Sequence, residues 1–97
     1  MPMAAVPVLH LQHRCVGAGP DLVLLHGWGL HAGIWEPVVE SLAARFRLHL
    51  YDLPGHGHST SMRDFTLESV CAALAETAPA QAHWLGWSLG GMVALEF

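Results

Sequence analysis

Hydrophobic residues alternate with polar ones in some segments of the chain and form continuous runs in others. Val8 to Arg14 alternates as a half-buried strand does, whereas Leu22 to Leu25 is an uninterrupted aliphatic run. A strand that is apolar on both faces is typical of a parallel sheet covered by helices on both sides. Arg47 to Asp52 and Gln81 to Leu85 have the composition of two further strands. The pattern therefore predicts four short strands.

Between the strands, apolar residues recur at helical spacing. Trp35 to Phe46 carries them at i, i+3, i+4, i+7 and i+11, with Pro37 in the first turn, where a missing N–H is tolerated. Thr66 is a suitable N-cap for a second helix that runs to Ala78, and a third helix begins at Leu89. Alternating strands and helices predict an α/β fold, with a mostly parallel sheet, right-handed crossovers and flanking helices.

One serine lies between two glycines directly after the last predicted strand. Gly86 to Gly90, GWSLG, fits the pattern GxSxG, in which a sharp strand-to-helix turn holds a serine hydroxyl out of the sheet. Such a site also needs an amide donor from the loop after an earlier strand, and His26 to Gly29, HGWG, follows the aliphatic run. Taken alone, HGWG favours a simple glycine turn over an oxyanion-binding loop.

Three segments in this order, LVLLHGWG, YDLPGHGHS and WLGWSLGG, resemble the α/β-hydrolase family over nearly the whole chain. Within that family they are most similar to the carboxylesterases of biotin synthesis that cleave the methyl ester of pimeloyl-[acyl-carrier protein]. The tryptophans in HGWG and GWSLGG are the more discriminating residues. The resemblance implies that residues 1–97 are the N-terminal part of a single α/β-hydrolase domain with a nucleophile elbow, truncated before the lid and the last strands.

The resemblance also implies roles for individual residues. Ser88 matches the nucleophile, and the backbone amides of Leu89 and Trp28 match the donors that bind the oxyanion, with Trp28 also lining the substrate pocket. Three glycines match the positions at the elbow where strand and helix approach each other; they are Gly86, Gly90 and Gly91. Two others, Gly55 and Gly57, match a structural turn after the third strand.

A serine nucleophile needs a histidine base oriented by a carboxylate. In this family both follow the serine in the chain, so they are expected beyond Phe97, and the fragment alone is expected to be inactive. Four upstream histidines remain as alternative bases, and two of them as a metal pair without an evident third ligand. The four are His26, His56, His58 and His83, and the pair is His56 with His58.

Composition narrows the classes of partner. The net charge is −4, and the four basic residues are all arginine, which disfavours nucleic acid. No apolar run approaches the roughly 18 residues of a membrane span. The start lacks the pattern of a secretion signal, so a cytoplasmic location is expected. No metal and no organic cofactor is expected.

Several other residues are expected to be structural. Cys15 and Cys71 lack metal-ligand spacing and are predicted to be small buried hydrophobes, and the eight histidines are scattered along the sequence. Asp52 is predicted to stabilise a turn. Three tryptophans are predicted to pack in the interior rather than to contact a ligand; they are Trp35, Trp84 and Trp87.

The resemblance implies a serine carboxylesterase that forms an acyl-Ser88 intermediate, acting on pimeloyl methyl ester carried by acyl carrier protein or on a small ester. Alternatives are a general esterase, a thioesterase, a carbon-carbon bond hydrolase, or an inert fragment that binds acyl ligands or nothing. The full-length protein is expected to be a monomer. The strand ending at Gly86 would be an exposed edge here, so the isolated chain is expected to be poorly soluble or partly folded.

Overall fold

The computed structural model describes residues 11–53, 56 and 66–97 of the 97-residue chain. It contains four strands, β1 (His13–Val16), β2 (Asp21–Leu25), β3 (Arg47–Tyr51) and β4 (His83–Gly86). Three α-helices accompany them, α1 (Glu36–Ala43), α2 (Leu67–Ala75) and α3 (Leu89–Glu96), and a 3-10 turn over Ala32–Trp35 leads into α1. No helix in this part of the chain is long and apolar enough to cross a membrane.

The strands form one sheet in the order β1-β3-β2-β4. β2 is parallel to both of its neighbours, β3 and β4, while β1 is antiparallel to β3. The predicted α/β fold with a mostly parallel sheet is therefore confirmed. β4 lies at one edge of the described sheet, at the position expected for it, and the solubility of the isolated chain stays a prediction.

The first strand lies later in the chain than its alternation predicts. It was expected over residues 8–14, of which 8–10 fall outside the described residues, and it begins only at His13. Leu11 packs in the core, and the Gln12 carbonyl accepts a hydrogen bond from the Asp52 amide at 3.0 Å. Pairing with β3 continues as far as Val16, so contacts across the sheet set the end of the strand.

Helices cover both faces of the sheet. α1 packs on one face against alternate residues of β2 and β3, among them Leu24 and Leu50. α2 and α3 pack on the other face, around Val23 and Leu25. Every residue of β2 from Leu22 onward is buried, as predicted for a central strand apolar on both sides.

The helix boundaries follow the capping signals more closely than the apolar stripe. Thr66 caps α2, as predicted, because its side chain accepts a hydrogen bond from the Ser69 amide at 3.0 Å. α1 ends at Ala43, although its apolar stripe continues to Phe46. The Leu42 carbonyl accepts hydrogen bonds from the amides of both Arg45 and Phe46, which closes a turn and directs the chain into β3.

Candidate active site

The serine of the GxSxG motif lies at the turn between β4 and α3. Ser88 has φ 55° and ψ −113°, and it alone among the described residues other than glycine has a positive φ. Such a conformation costs on the order of 1–3 kcal/mol and persists only where the surrounding structure holds it. Ser88 is exposed, and although it is the N-cap of α3, its side chain forms no capping hydrogen bond. The hydroxyl is therefore available to a ligand.

Close contact between α3 and β2 holds this turn. A Cβ added at Gly90 would overlap the Leu25 carbonyl oxygen and would lie 2.6 Å from the carbonyl oxygen of His26. The Trp87 amide donates to the Leu25 carbonyl at 3.0 Å, which fixes the residue before the serine to the end of β2. The helix can begin this close to the sheet only because residue 90 has no side chain.

The loop after β2 lies beside the serine. A Cβ built on Gly27 would be 3.4 Å from the Ser88 Cβ and 3.0 Å from Cδ1 of Trp87. Within the loop, the Leu30 amide donates to the Gly27 carbonyl at 3.2 Å, and the intervening Trp28 is 68% exposed. The structure therefore brings together the two loops that the sequence predicts to form one site.

A buried histidine fixes this loop to the exit of β3. His26 is 0% exposed, and its Nε2 accepts a hydrogen bond from the Leu53 amide at 2.8 Å. Its Nδ1 lies 2.7 Å from the Gly27 carbonyl oxygen, which can only accept, so Nδ1 carries the proton. Both ring nitrogens are occupied, which makes His26 a positioning residue and removes it from the alternative bases.

The other alternative bases have different positions. His56 is 8% exposed, and its Nε2 accepts from the Gly29 amide at 2.9 Å, so it supports the same loop. His83 begins β4 at the end away from Ser88 and packs against Phe46, with ring centroids 6.1 Å apart. His58, together with the proposed metal pair that needs it and the turn glycines 55 and 57, lies outside the described residues.

Asp52 supports the segment that follows the loop. Its Oδ1 accepts a hydrogen bond from the Ala32 amide at 2.7 Å, at the start of the 3-10 turn. The carboxylate is 5% exposed, and an amide donor at this distance compensates for part of its lost hydration. The geometry agrees with the predicted turn-stabilising role.

An apolar groove lies next to the serine loop. It has a volume of about 310 Å³ and is lined by Leu30, Ile34, Trp35 and Trp87. The packing role predicted for three tryptophans is confirmed for Trp35 and Trp84, which lie against the two cores. It is wrong for Trp87, which follows the last residue of β4, is 62% exposed and lines the groove instead.

The predicted burial of the cysteines is only partly correct. Cys71 is half-buried, with its Sγ 3.7 Å from the Val93 carbonyl, and burial raises the pKa of its thiol. Cys15 is exposed; it lies on β1, which is an edge strand of the sheet. Two histidines that are far apart in the sequence, His13 and His49, both contact it.

We expect the protein to lose stability as the pH falls through about 6.5, the ordinary pKa of histidine. Burial lowers the pKa of His26, chiefly by desolvation, with His56 acting in the same direction, while the Gly27 carbonyl and Asp52 oppose the shift. As the pH falls, the His26 side chain therefore takes up a proton more readily in the unfolded chain than in the folded chain. The free energy of unfolding keeps its full value above the unfolded pKa and decreases below it.

Urea unfolding between about pH 7.5 and about pH 5.5 measures this slope. His26→Gln removes the titrating group, so the free energy of unfolding of this variant should depend less on pH, whatever its absolute value. His83→Gln, at the exposed start of β4, is the control and should keep the pH dependence of the parent protein. His13, whose pKa burial also lowers, adds to the slope in both variants. Equal slopes in His26→Gln and the parent protein would contradict the assignment.

Comparisons with known proteins agree with this architecture. The model of the alpha/beta hydrolase family matches residues 22–97. Among solved structures, a marine microorganism esterase superimposes with a TM-score of 0.85 at 28% identity, covering 92% of this chain and 36% of the esterase. The enol-lactonase from Burkholderia xenovorans gives a TM-score of 0.81 at 34% identity, covering 95% of this chain and 39% of the lactonase.

Similar sequences include two named pimeloyl-[acyl-carrier protein] methyl ester esterase. The one from Methylococcus capsulatus is 58% identical over 80 residues, which is 82% of this chain and 32% of that protein. The one from Vibrio vulnificus is 56% identical over 86 residues, which is 89% of this chain and 33% of that protein. The chain thus spans about a third of the length of the curated relatives it matches.

Proposed function

Because the chain belongs to the alpha/beta hydrolase family, we propose that it carries the nucleophile and the oxyanion-binding loop of a serine carboxylesterase. The observation that carries the proposal is the conformation of Ser88, whose backbone is held at positive φ beside the loop after β2. Its side chain is exposed and forms no capping hydrogen bond to α3. A serine whose only role was to cap the N-terminus of a helix would accept a hydrogen bond from a first-turn amide through its hydroxyl oxygen. Here the fold favours a different use of that hydroxyl.

The proposed first step is attack of the Ser88 Oγ on the ester carbonyl carbon. A base takes the hydroxyl proton, a tetrahedral intermediate forms, and its collapse expels the alkoxide, which leaves as the alcohol after receiving that proton. Water then attacks the acyl-Ser88 ester by the same route, releasing the carboxylic acid and restoring the serine. The described alternatives His26, His56 and His83 are not placed as the base, so we assign the base and its carboxylate to other parts of the protein.

Charge that develops on the carbonyl oxygen requires fixed donors. Leu89 is the first residue of α3, and an amide at that position has no acceptor in its own helix and lies at the positive end of the helix dipole. We assign the second donor to the Trp28 amide, on the loop whose Gly27 lies against Ser88. Loss of one such donor in a serine hydrolase costs about 2.7–4 kcal/mol.

We propose the methyl ester of pimeloyl-[acyl-carrier protein] as the substrate, with acyl carrier protein as the partner. We take the identity of the acyl group from the names of the relatives. The groove next to the serine loop gives a chemical reason why such an acyl chain would bind. Its walls are apolar, and each methylene group removed from water contributes roughly 0.8 kcal/mol, so a hydrocarbon chain is suited to it. No metal or organic cofactor takes part in the proposed chemistry.

The purified full-length protein, which carries the base as well as this chain, should hydrolyse pimeloyl methyl ester on acyl carrier protein with a higher kcat/KM than a short acetate ester. Trp87→Ala opens one wall of the groove, so it should lower kcat/KM for the long acyl group more than for acetate. Leu95→Ala, which changes a 90% exposed residue elsewhere on α3, is the matched control and should change neither. Equal rates for long and short esters would instead indicate a general esterase.

A further inference from the structure

Side chains from two strands converge at the β1 edge of the sheet. His13 and Cys15 are two residues apart on β1, so they project to the same face, and Cys15 lies opposite His49 on β3. His49 is buried, His13 is half-buried, and Cys15 is exposed to solvent. The three therefore form a cluster with one open side.

The distances within the cluster match those between the ligands of a tetrahedral metal ion. His13 Nε2 is 3.2 Å from His49 Nδ1, and the Cys15 Sγ is 3.4 Å and 3.5 Å from those two nitrogens. Zinc bonds of about 2.0–2.1 Å to nitrogen and about 2.3 Å to sulfur place two nitrogens about 3.3–3.4 Å apart and a nitrogen and a sulfur about 3.5–3.6 Å apart. The observed triangle needs adjustments of only about 0.2 Å to hold the ion.

A fourth residue orients one of the three donors. His49 Nε2 is 2.7 Å from the Asp21 Oδ1, and an ionised carboxylate can only accept, so Nε2 carries the proton. In the neutral ring, Nδ1 then presents its lone pair to His13 and Cys15. A carboxylate that holds the distal nitrogen of a histidine in this way is the usual outer partner of a metal-bound histidine.

We propose that His13 Nε2, Cys15 Sγ and His49 Nδ1 bind a Zn²⁺ ion, with water as the fourth ligand. The Zn–S bond forms as the Cys15 thiol releases its proton to solvent, and the thiolate and the Asp21 carboxylate together offset the charge of the ion. A thiolate with two imidazoles selects zinc-like ions over Mg²⁺ and Ca²⁺, which prefer oxygen ligands. The exposed side of Cys15 gives the ion a path from solvent.

This metal site is separate from the serine site. β2 begins at Asp21, beside the cluster, and the loop that meets Ser88 follows the other end of β2. The ion would join the edge strand β1 to β3 without touching the ester chemistry. The proposal therefore does not depend on the proposed function.

A titration of the metal-free purified protein with Co²⁺, a spectroscopic substitute for zinc, tests the site. We expect one ion per chain, with visible bands of tetrahedral Co²⁺ and a thiolate-to-metal charge-transfer band that Zn²⁺ abolishes by displacement. Cys15→Ser should remove the charge-transfer band, and Cys71→Ser, the matched control on α2, should retain it. Asp21→Asn keeps an acceptor for His49 but removes the charge, and should weaken binding about 10- to 100-fold.

Thermal unfolding gives an independent readout. Because Zn²⁺ bound only to the folded state raises the Tm by mass action, it should raise the Tm of the parent protein and of Cys71→Ser more than that of Cys15→Ser. Cys15 is exposed, so its replacement should leave the fold intact. The proposal is overturned if Co²⁺ gives no charge-transfer band, or if Cys15→Ser and His13→Gln bind the ion as tightly as the parent protein.

Discussion

Ser88→Ala is expected to lower kcat by about 10⁴-fold or more, without a loss of folded structure. The substitution removes the oxygen atom that forms the acyl ester in the proposed mechanism, and the remaining groups of a serine hydrolase contribute far less on their own. Ser88 is exposed and its side chain forms no capping hydrogen bond, so its replacement leaves no buried group unsatisfied. The positive φ should persist, because the contacts of Gly27 and Gly90 fix the turn from both sides.

The measurement is steady-state turnover of the pimeloyl methyl ester, together with covalent labelling by a fluorophosphonate probe. Ser41→Ala changes an exposed serine on α1 and serves as the matched control, which should retain both turnover and labelling. Circular dichroism checks that both variants are folded. Labelling of Ser88→Ala at the rate of the parent protein would exclude Ser88 as the nucleophile.

Gly90→Ala is expected to destabilise the fold by about 1–3 kcal/mol and to reduce activity disproportionately. The added methyl group would overlap the Leu25 carbonyl, which belongs to β2 and cannot move away as a flexible side chain could. The helix must shift outward to relieve the overlap, and it would take Ser88 and the Leu89 amide with it. A displacement of about 1 Å at a reacting group can cost about 10²-fold in rate.

Gly91→Ala is the matched control, one residue further along the same helix. A Cβ at that position would be 3.4 Å from the Gly86 carbonyl oxygen, an ordinary contact. Alanine also forms helices better than glycine by about 1 kcal/mol, so this variant should be as stable as the parent protein or more so. Urea unfolding and turnover of both variants test the pair, and equal behaviour of the two would show that α3 does not depend on close contact with β2.

The same pair shows how far the sequence predicts this site. Three glycines at the elbow are expected to be small because the chain resembles a family in which they are. The structure requires this strictly at Gly86 and Gly90, where an added Cβ would overlap backbone atoms, and leaves room at Gly91. The motif names the positions, but only the distance between α3 and β2 separates the required glycines from the tolerant one.

Local signals in the sequence determined the elements and their order. The aliphatic run of β2, the N-cap at Thr66 and the strand-to-helix position of Ser88 each depend on residues within about ten positions of one another, so a linear pattern contains them. Burial on both sides of β2 also follows, because its composition leaves no polar face. These features specify an α/β fold and a candidate nucleophile before any coordinates are known.

Tertiary structure alone decided which distant residues meet. His26 holds the loop through the Leu53 amide, 27 residues later, and the cluster at Cys15 joins His13 to His49, 36 residues apart. These contacts depend on β1 pairing with β3 and on β2 lying between β3 and β4, an order that no periodicity encodes. Pairing across a sheet is fixed by the burial of both faces at once, a property of the folded chain as a whole rather than of any short segment of its sequence.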